Sequence, residues 1–238
     1  MAQAALGLCL FFLAFLLAAC RGGSAAVPAR ETALAAPARR PAQVMSFESA
    51  GWLERPGREE EERPEIVLAA MRLRPGQVVA EIGCGSGFFA RRLARAVAPG
   101  GRVYAEDIQP EMLDLLRERA AKERIANIVP VLGTDVDPRL PQGGVDWVLM
   151  ADVYHEFQRP QPMLARIKDS LAPGGQVALV EYREEGETAS QIKPAHRMSA
   201  AQVLAEWQPA GFELVRQIET LPSQHLFFFR VKSPARSR

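Results

Sequence analysis

Cysteine, net charge and long apolar runs are all in short supply in this sequence of 238 residues. Of its three cysteines, Cys9, Cys20 and Cys84, only Cys84 lies beyond the N-terminal segment, so the body of the protein holds no internal disulfide and must stand on a packed core. The formal charge is +1, with Arg21, Arg30, Arg39 and Arg40 against Glu31 placing +3 before Met45 and leaving −2 on the remainder. So balanced a chain presents no basic face for nucleic acid, and its aromatic residues, at 7%, form no stripe that would stack bases. No apolar run reaches the roughly 20 residues needed to span a bilayer. Core-forming residues are plentiful: 48% are hydrophobic, ample for one globular domain, and 18 Gly with 18 Pro foretell frequent turns.

Residues 6–19 form an uncharged apolar run of about 14, the length of a signal-peptide core. Leu17-Ala18-Ala19-Cys20 then resembles a bacterial lipobox, in which the cysteine is diacylated and becomes the new N terminus. Residues 21–44 follow as an Ala/Pro/Arg-rich tether with too few core-forming residues to fold. Two features oppose export. No Lys or Arg precedes the apolar run, and every nearby Arg follows it, which by the positive-inside tendency would hold the domain in the cytoplasm. Three arrangements stay open: a lipoprotein anchored through Cys20, a cytoplasm-facing membrane anchor, and a cytoplasmic protein that starts near Met45. The expected organisation is a leader over 1–20, a linker over 21–44 and a folded domain over 45–238 with its core at 65–232.

From Glu65 onward, short β-branched runs alternate with amphipathic stretches, the pattern of a mainly parallel sheet covered by helices. Strands are expected at residues 77–82, 102–107, 128–132, 145–151, 176–181, 213–219 and 225–231, with helices at 88–98, 110–123, 163–171 and 200–210. Only Thr220-Leu221-Pro222-Ser223-Gln224 separates the last two strands, so they should pair as an antiparallel hairpin.

Val78-Val79-Ala80-Glu81-Ile82-Gly83-Cys84-Gly85-Ser86-Gly87 carries the first strand into a sharp turn, where Gly83, Gly85 and Gly87 supply backbone freedom and close approach to a ligand. The third glycine comes too early for the dinucleotide pattern, since position 88 is Phe, and a nicotinamide enzyme is disfavoured. The second strand ends in Glu106-Asp107-Ile108, about 24 residues after Gly83, where a ribose needs acceptors for its hydroxyls. Asp107 suits that task over Glu106, whose side chain points to the other face of the strand.

Taken with Val145-Asp146-Trp147-Val148-Leu149-Met150 and Leu171-Ala172-Pro173-Gly174-Gly175, in this order and spacing, the chain resembles the class I S-adenosylmethionine-dependent methyltransferases over residues 65–232. It is similar in particular to methyltransferase-11/25-like domains related to ubiquinone and menaquinone methyltransferases. The resemblance implies a Rossmann-like α/β fold whose seven-stranded, mostly parallel sheet has order 3-2-1-4-5-7-6, the last strand antiparallel and helices on both faces. It implies S-adenosylmethionine as cofactor, with Glu81 near the cationic amino group of the methionine part and Gly83, Gly85 and Gly87 beneath the ligand. Asp107 then serves the ribose and Ile108 lies against adenine. Asp135 is expected at the adenine edge, because Thr134 occupies the usual carboxylate position in Gly133-Thr134-Asp135.

Ligands of such sheets bind beyond the carboxyl ends of the parallel strands, which brings His155, His196 and His225 to one side, with Glu181 and Tyr182 between them. His155 is expected to act as general base, with Glu181 or His196 orienting it or the substrate. Glu156 is a poor orienter, because adjacent side chains of an extended segment diverge. Tyr154, Tyr182 and His225 are expected against the methyl acceptor, with Trp52 as a lid. The run Arg58-Glu59-Glu60-Glu61-Glu62-Arg63 reads as a solvated helix start whose carboxylates favour the N-terminal dipole. No metal is expected, since the histidine spacings lack a local ligand motif.

The implied activity is methyl transfer to a small-molecule acceptor, quinone-like or otherwise lipophilic on family analogy alone. The alternatives are a membrane-tethered protein that binds the cofactor without turnover, and methylation of a protein or RNA. On the lipobox reading, mass spectrometry of the membrane fraction finds a mature chain that begins at acylated Cys20. A chain retaining Met1 or beginning at Met45 overturns it.

Overall fold

In strand β1 (Val78–Ile82), alternate side chains enter opposite faces of a sheet that is buried on both sides. A computed structural model describes residues 40–233. The other strands are β2 (Arg102–Asp107), β3 (Ile128–Leu132), β4 (Val145–Ala151), β5 (Leu171–Tyr182), β6 (Phe212–Ile218) and β7 (Gln224–Val231). Their order, β3-β2-β1-β4-β5-β7-β6, is the expected one. The strands from β3 to β5 are parallel, and β7 is antiparallel to both β5 and β6.

Val79, Val103, Leu149, Val180 and Phe228 form one core with α2 (Pro64–Met71), α3 (Phe88–Ala96) and α4 (Pro110–Lys122). Ala80, Val148, Met150, Leu179 and Phe227, one residue out of step, form a second with α5 (Pro160–Ser170) and α6 (Ala200–Trp207). This registry sends every parallel strand's carboxyl end to one rim, where the turns after β1, β2 and β4 meet the last residues of β5 and the first of β7.

Several features differ from expectation for local reasons. Helix α5 begins at Pro160, a residue whose missing N–H is no loss in a first turn. Helix α3 ends at Ala96, because the residue before Pro99 is driven out of helical geometry. The expected Pro173-Gly174-Gly175 turn is absorbed into β5 as an irregularity, with Gly174 at φ 82° and the pairing with β4 shifting between Val145 and Trp147. The acidic run forms α1 (Arg58–Glu62) and is solvated only in part: Glu59, Glu60 and Glu61 face water as expected, but Arg58 and Glu62 are buried. The i,i+4 spacing puts Arg58 and Glu62 on one face as a 2.9 Å ion pair that the fold covers.

The leader and most of the expected linker lie outside the described residues, but Ala42 is already buried, its N–H donating to the His155 carbonyl at 3.0 Å. Among the described residues no helix is long and apolar enough to cross a membrane. Trp207 anchors the second core. It is fully buried, stacked on Phe229 at 4.4 Å and flanked by Phe212 at 5.0 Å. Trp207→Ala is expected to cost about 3–5 kcal/mol of stability, read from the shift in a urea unfolding curve.

Candidate active site

The turn after β1 is held open by positive φ at Gly83 (68°), Gly85 (50°) and Gly87 (86°). A side chain on Gly83 would collide with Val153, and one on Gly85 would stand 2.6 Å from Leu53. The turn is tied to the end of β2: Gly85 N–H donates to Asp107 Oδ2 at 2.9 Å, and Cys84 N–H to the Glu106 carbonyl at 2.8 Å. Asp107 Oδ1 accepts from Gln109 N–H at 2.9 Å. Each carboxylate oxygen keeps a second lone pair, so Asp107 can still accept from ribose hydroxyls. Burial raises its pKa, partly offset by these backbone donors.

Glu81, at the end of β1, is 3% exposed and its Oε2 has no partner. Burial pushes its pKa to about 8, with Arg58 pulling the other way. A buried carboxylate with an orphaned oxygen is what the amino group of S-adenosylmethionine would satisfy, so the residues present fit that cofactor. Ile108 is 40% exposed beside Asp107, as an adenine contact requires. Glu106 lies behind the turn instead, accepting from Gly83 N–H at 3.3 Å, with Gly133 making room for its other oxygen. Burial first, and Asp107 second, hold its pKa well above the usual carboxylate range.

A strap over residues 42–55 crosses both halves of the site. Met45 N–H donates to Glu156 at 3.2 Å, and its carbonyl accepts from Gln109 Nε2 at 2.9 Å. Glu54 then accepts from Ser86 Oγ at 2.7 Å and from Arg91 through both oxygens at 2.8 and 2.9 Å. Trp52, expected as a lid, is half exposed on this strap with the Arg55 guanidinium 3.6 Å from its ring centre.

On the acceptor side, Glu181, His155 and His196 form a chain. Glu181 Oε2 lies 2.7 Å from His155 Nδ1, while its Oε1 accepts from His155 N–H at 3.2 Å. His155 Nε2 then lies 3.0 Å from His196 Nδ1. A carboxylate only accepts, so His155 Nδ1 carries a proton. With His155 neutral, its Nε2 accepts and His196 Nδ1 donates, which leaves the free lone pair on His196 Nε2. Burial lowers the His155 pKa, but the charge of Glu181 and its hydrogen bond outweigh this and leave it raised. Burial and His155 itself lower that of His196. A proton entering at His196 is therefore best held on His155, beside Glu181.

His155, His196 and Glu156 also each offer one ligand atom within 4.8 Å of the others, a spacing a cation could bridge. His155 Nε2 and His196 Nδ1 already satisfy each other, and we assign no metal there. Tyr182 is nearly buried at the end of β5, and burial raises its hydroxyl pKa. Other expected contacts stand elsewhere. Tyr154 is wholly buried behind the site, its hydroxyl donating to Glu206 at 2.7 Å. His225 has Glu219 on Nδ1 at 2.7 Å and Glu185 on Nε2 at 3.0 Å, so it fastens the segment leading to His196. Asp135 pairs with Arg159 at 2.5 Å, but both side chains are more than half exposed, so the pair contributes at most about 1 kcal/mol and opens easily to a ligand. Sequence reasoning missed Glu54, Ser86, Arg91 and Gln109, whose partners are distant in the chain, and only the i,i+4 spacing of Arg58 and Glu62 was a local signal.

The sheet order is that of a Rossmann-like methyltransferase fold. Residues 79–175 match the family model described as a methyltransferase domain. The structure is similar to that of a SAM dependent methyltransferase from Aquifex aeolicus, with TM-score 0.73 and 26% identity over 78% of this chain and 98% of that one. Among curated proteins, the chain is 34% identical over 123 residues to the protein-L-isoaspartate O-methyltransferase of Aeropyrum pernix, covering 49% of this chain and 44% of that protein. It is 24% identical over 185 residues to the ubiquinone/menaquinone biosynthesis C-methyltransferase of Cupriavidus metallidurans, covering 70% of this chain and 75% of that protein. It spans about half the length of most of the curated relatives it matches.

Asp107→Ala removes the acceptor shared by the glycine turn and the expected ribose. Calorimetry is expected to find S-adenosylmethionine bound at least about tenfold more weakly, a loss of about 1.4 kcal/mol, with the circular dichroism spectrum retained.

Proposed function

We propose that this protein transfers a methyl group from S-adenosylmethionine to a small-molecule acceptor, and that Glu181, His155 and His196 take up the proton the acceptor releases. The observation that carries the reading is the glycine turn tied to Asp107 beside an orphaned Glu81. S-adenosylmethionine, when bound, would supply a methyl already activated on a sulfonium, with a neutral thioether as the leaving group and the acceptor's electron pair as the source of the new bond. The chain's own residues then have three tasks: holding the reactants in line, excluding water and moving one proton.

The strap serves the second task, since Leu53 and Glu54 close over the turn while Met45 bonds to Glu156 on the acceptor side. The third falls to His196 Nε2 as the entry atom, with His155 and Glu181 as positioning residues that stabilise the resulting charge. His196 is also the less buried of the two histidines, as contact with an acceptor requires.

Calorimetry of the full chain with S-adenosylmethionine is the primary test, and no detectable binding sinks the reading. His196→Ala is expected to lower kcat about 100-fold while leaving cofactor affinity unchanged. The histidine pair must be unprotonated to accept, and its proton is held on the residue whose pKa is raised. Turnover is therefore expected to be lost as pH falls through a value above 6.5, and Glu181→Gln should move that limb downward. An acid limb that Glu181→Gln leaves in place rejects the relay.

A further inference from the structure

We infer that the rim where β4, β5 and β7 meet binds an ammonium group of the methyl acceptor, seated on Asp152 and Gln224, and that the acceptor is therefore an amine. This rests on the methyltransferase reading and adds the substrate class.

Asp152 follows β4 directly and adopts φ 53°, a left-handed conformation that costs a residue with a side chain about 1–3 kcal/mol. Its N–H donates to the Val180 carbonyl at 2.9 Å, and the next residue, Val153, packs against Gly83. The side chain thus stands at the border between cofactor turn and acceptor side. Its Oδ2 accepts from Gln224 Nε2 at 3.2 Å. Its Oδ1 is buried with no partner, and so is the Oε1 of Gln224, a residue that is 0% exposed. Two orphaned acceptors on two linked side chains, each costing about 1–3 kcal/mol, call for a ligand with several N–H donors.

Charge points the same way. Glu62 already lies between Arg55 at 3.1 Å and Arg58 at 2.9 Å, and Glu181 has His155 at 2.7 Å. Among the described residues no arginine or lysine pairs with Asp152, although it lies within reach of the charges of Glu62 and Glu181. Burial, reinforced by Glu62 and Glu181, holds its pKa well above the usual range, and a positive partner at Oδ1 favours the ionised form. A primary ammonium brings charge and donors together. A quinone, which offers no N–H, leaves both acceptors dry. The cofactor's own ammonium has Glu81, whose orphaned oxygen lies at the end of β1.

The test titrates n-butylammonium chloride into the full chain saturated with S-adenosylhomocysteine, followed by ligand-observed NMR, with n-butanol and sodium chloride as controls. Saturable binding of the ammonium and not the alcohol is expected, weakened at least about tenfold by Asp152→Asn and by Gln224→Leu. Asparagine tolerates the left-handed conformation, so the first variant keeps the backbone. Binding of butanol equal to that of butylammonium, or an unchanged Asp152→Asn, overturns the inference. Displacement by equimolar sodium would make this a metal-ion site, and competition with S-adenosylhomocysteine would make it the cofactor's ammonium site; either also overturns it. Failure of S-adenosylhomocysteine itself to bind in calorimetry would reject the methyltransferase reading separately, because the ammonium titration can be run on the free protein.

Discussion

The hydrogen bond from Gly85 N–H to Asp107 Oδ2 makes a ligand site out of two neighbouring strand ends. It fixes the turn after β1 against the end of β2, and with Cys84 N–H on the Glu106 carbonyl it leaves the loop no freedom to collapse into the cleft. The left-handed glycines follow from this, since the chain must leave the sheet, pass under a ligand and enter α3 within five residues. The strap follows as well: Glu54 finds Ser86 and Arg91 because the turn presents them at a fixed place. Had the turn been loose, the strap would have nothing rigid to close on.

The same rim concentrates carboxylates that a protein rarely buries, and each is handled differently. Glu62 is neutralised by two arginines, and Glu181 accepts hydrogen bonds from His155. Glu106 is set behind the glycine turn, where it accepts a backbone N–H. Glu81, Glu106 and Asp152 each keep an unpartnered oxygen, and burial raises the pKa of all three. A shift of one pKa unit is worth about 1.4 kcal/mol, so the move of Glu81 from 4.5 to about 8 is stability withheld from folding and available to a cationic ligand. Sites are where proteins tolerate such local conflict, and here the conflicts mark the two ends of the proposed reaction.

The histidines divide along similar lines. His155 and His225 are both buried, and each faces at least one carboxylate. Glu219 and Glu185 take both ring nitrogens of His225, which makes it a fastener. His155 has a carboxylate on one nitrogen and His196 on the other, an arrangement that can pass a proton. Sequence position alone cannot distinguish the two roles, because both residues sit at the same rim.

The strand positions, the glycine turn and Asp107 were legible in the sequence because each rests on local geometry, namely alternation with period two, three glycines where the chain must turn, and a strand that ends in a carboxylate, while the strand order came only with the family resemblance. Burial of Arg58 and Glu62 was not, since a charged run reads as solvated until the fold covers it. Nor were the proton-accepting end of the histidine chain, the placing of Tyr154 behind the site, and the pairing of Asp152 with Gln224 across 72 residues of chain. Backbone preference and hydrophobic period act over a few residues and fix the scaffold. Which polar atom meets which, and which is left without a partner, depends on packing between segments far apart in the chain, and the tertiary structure alone decided that.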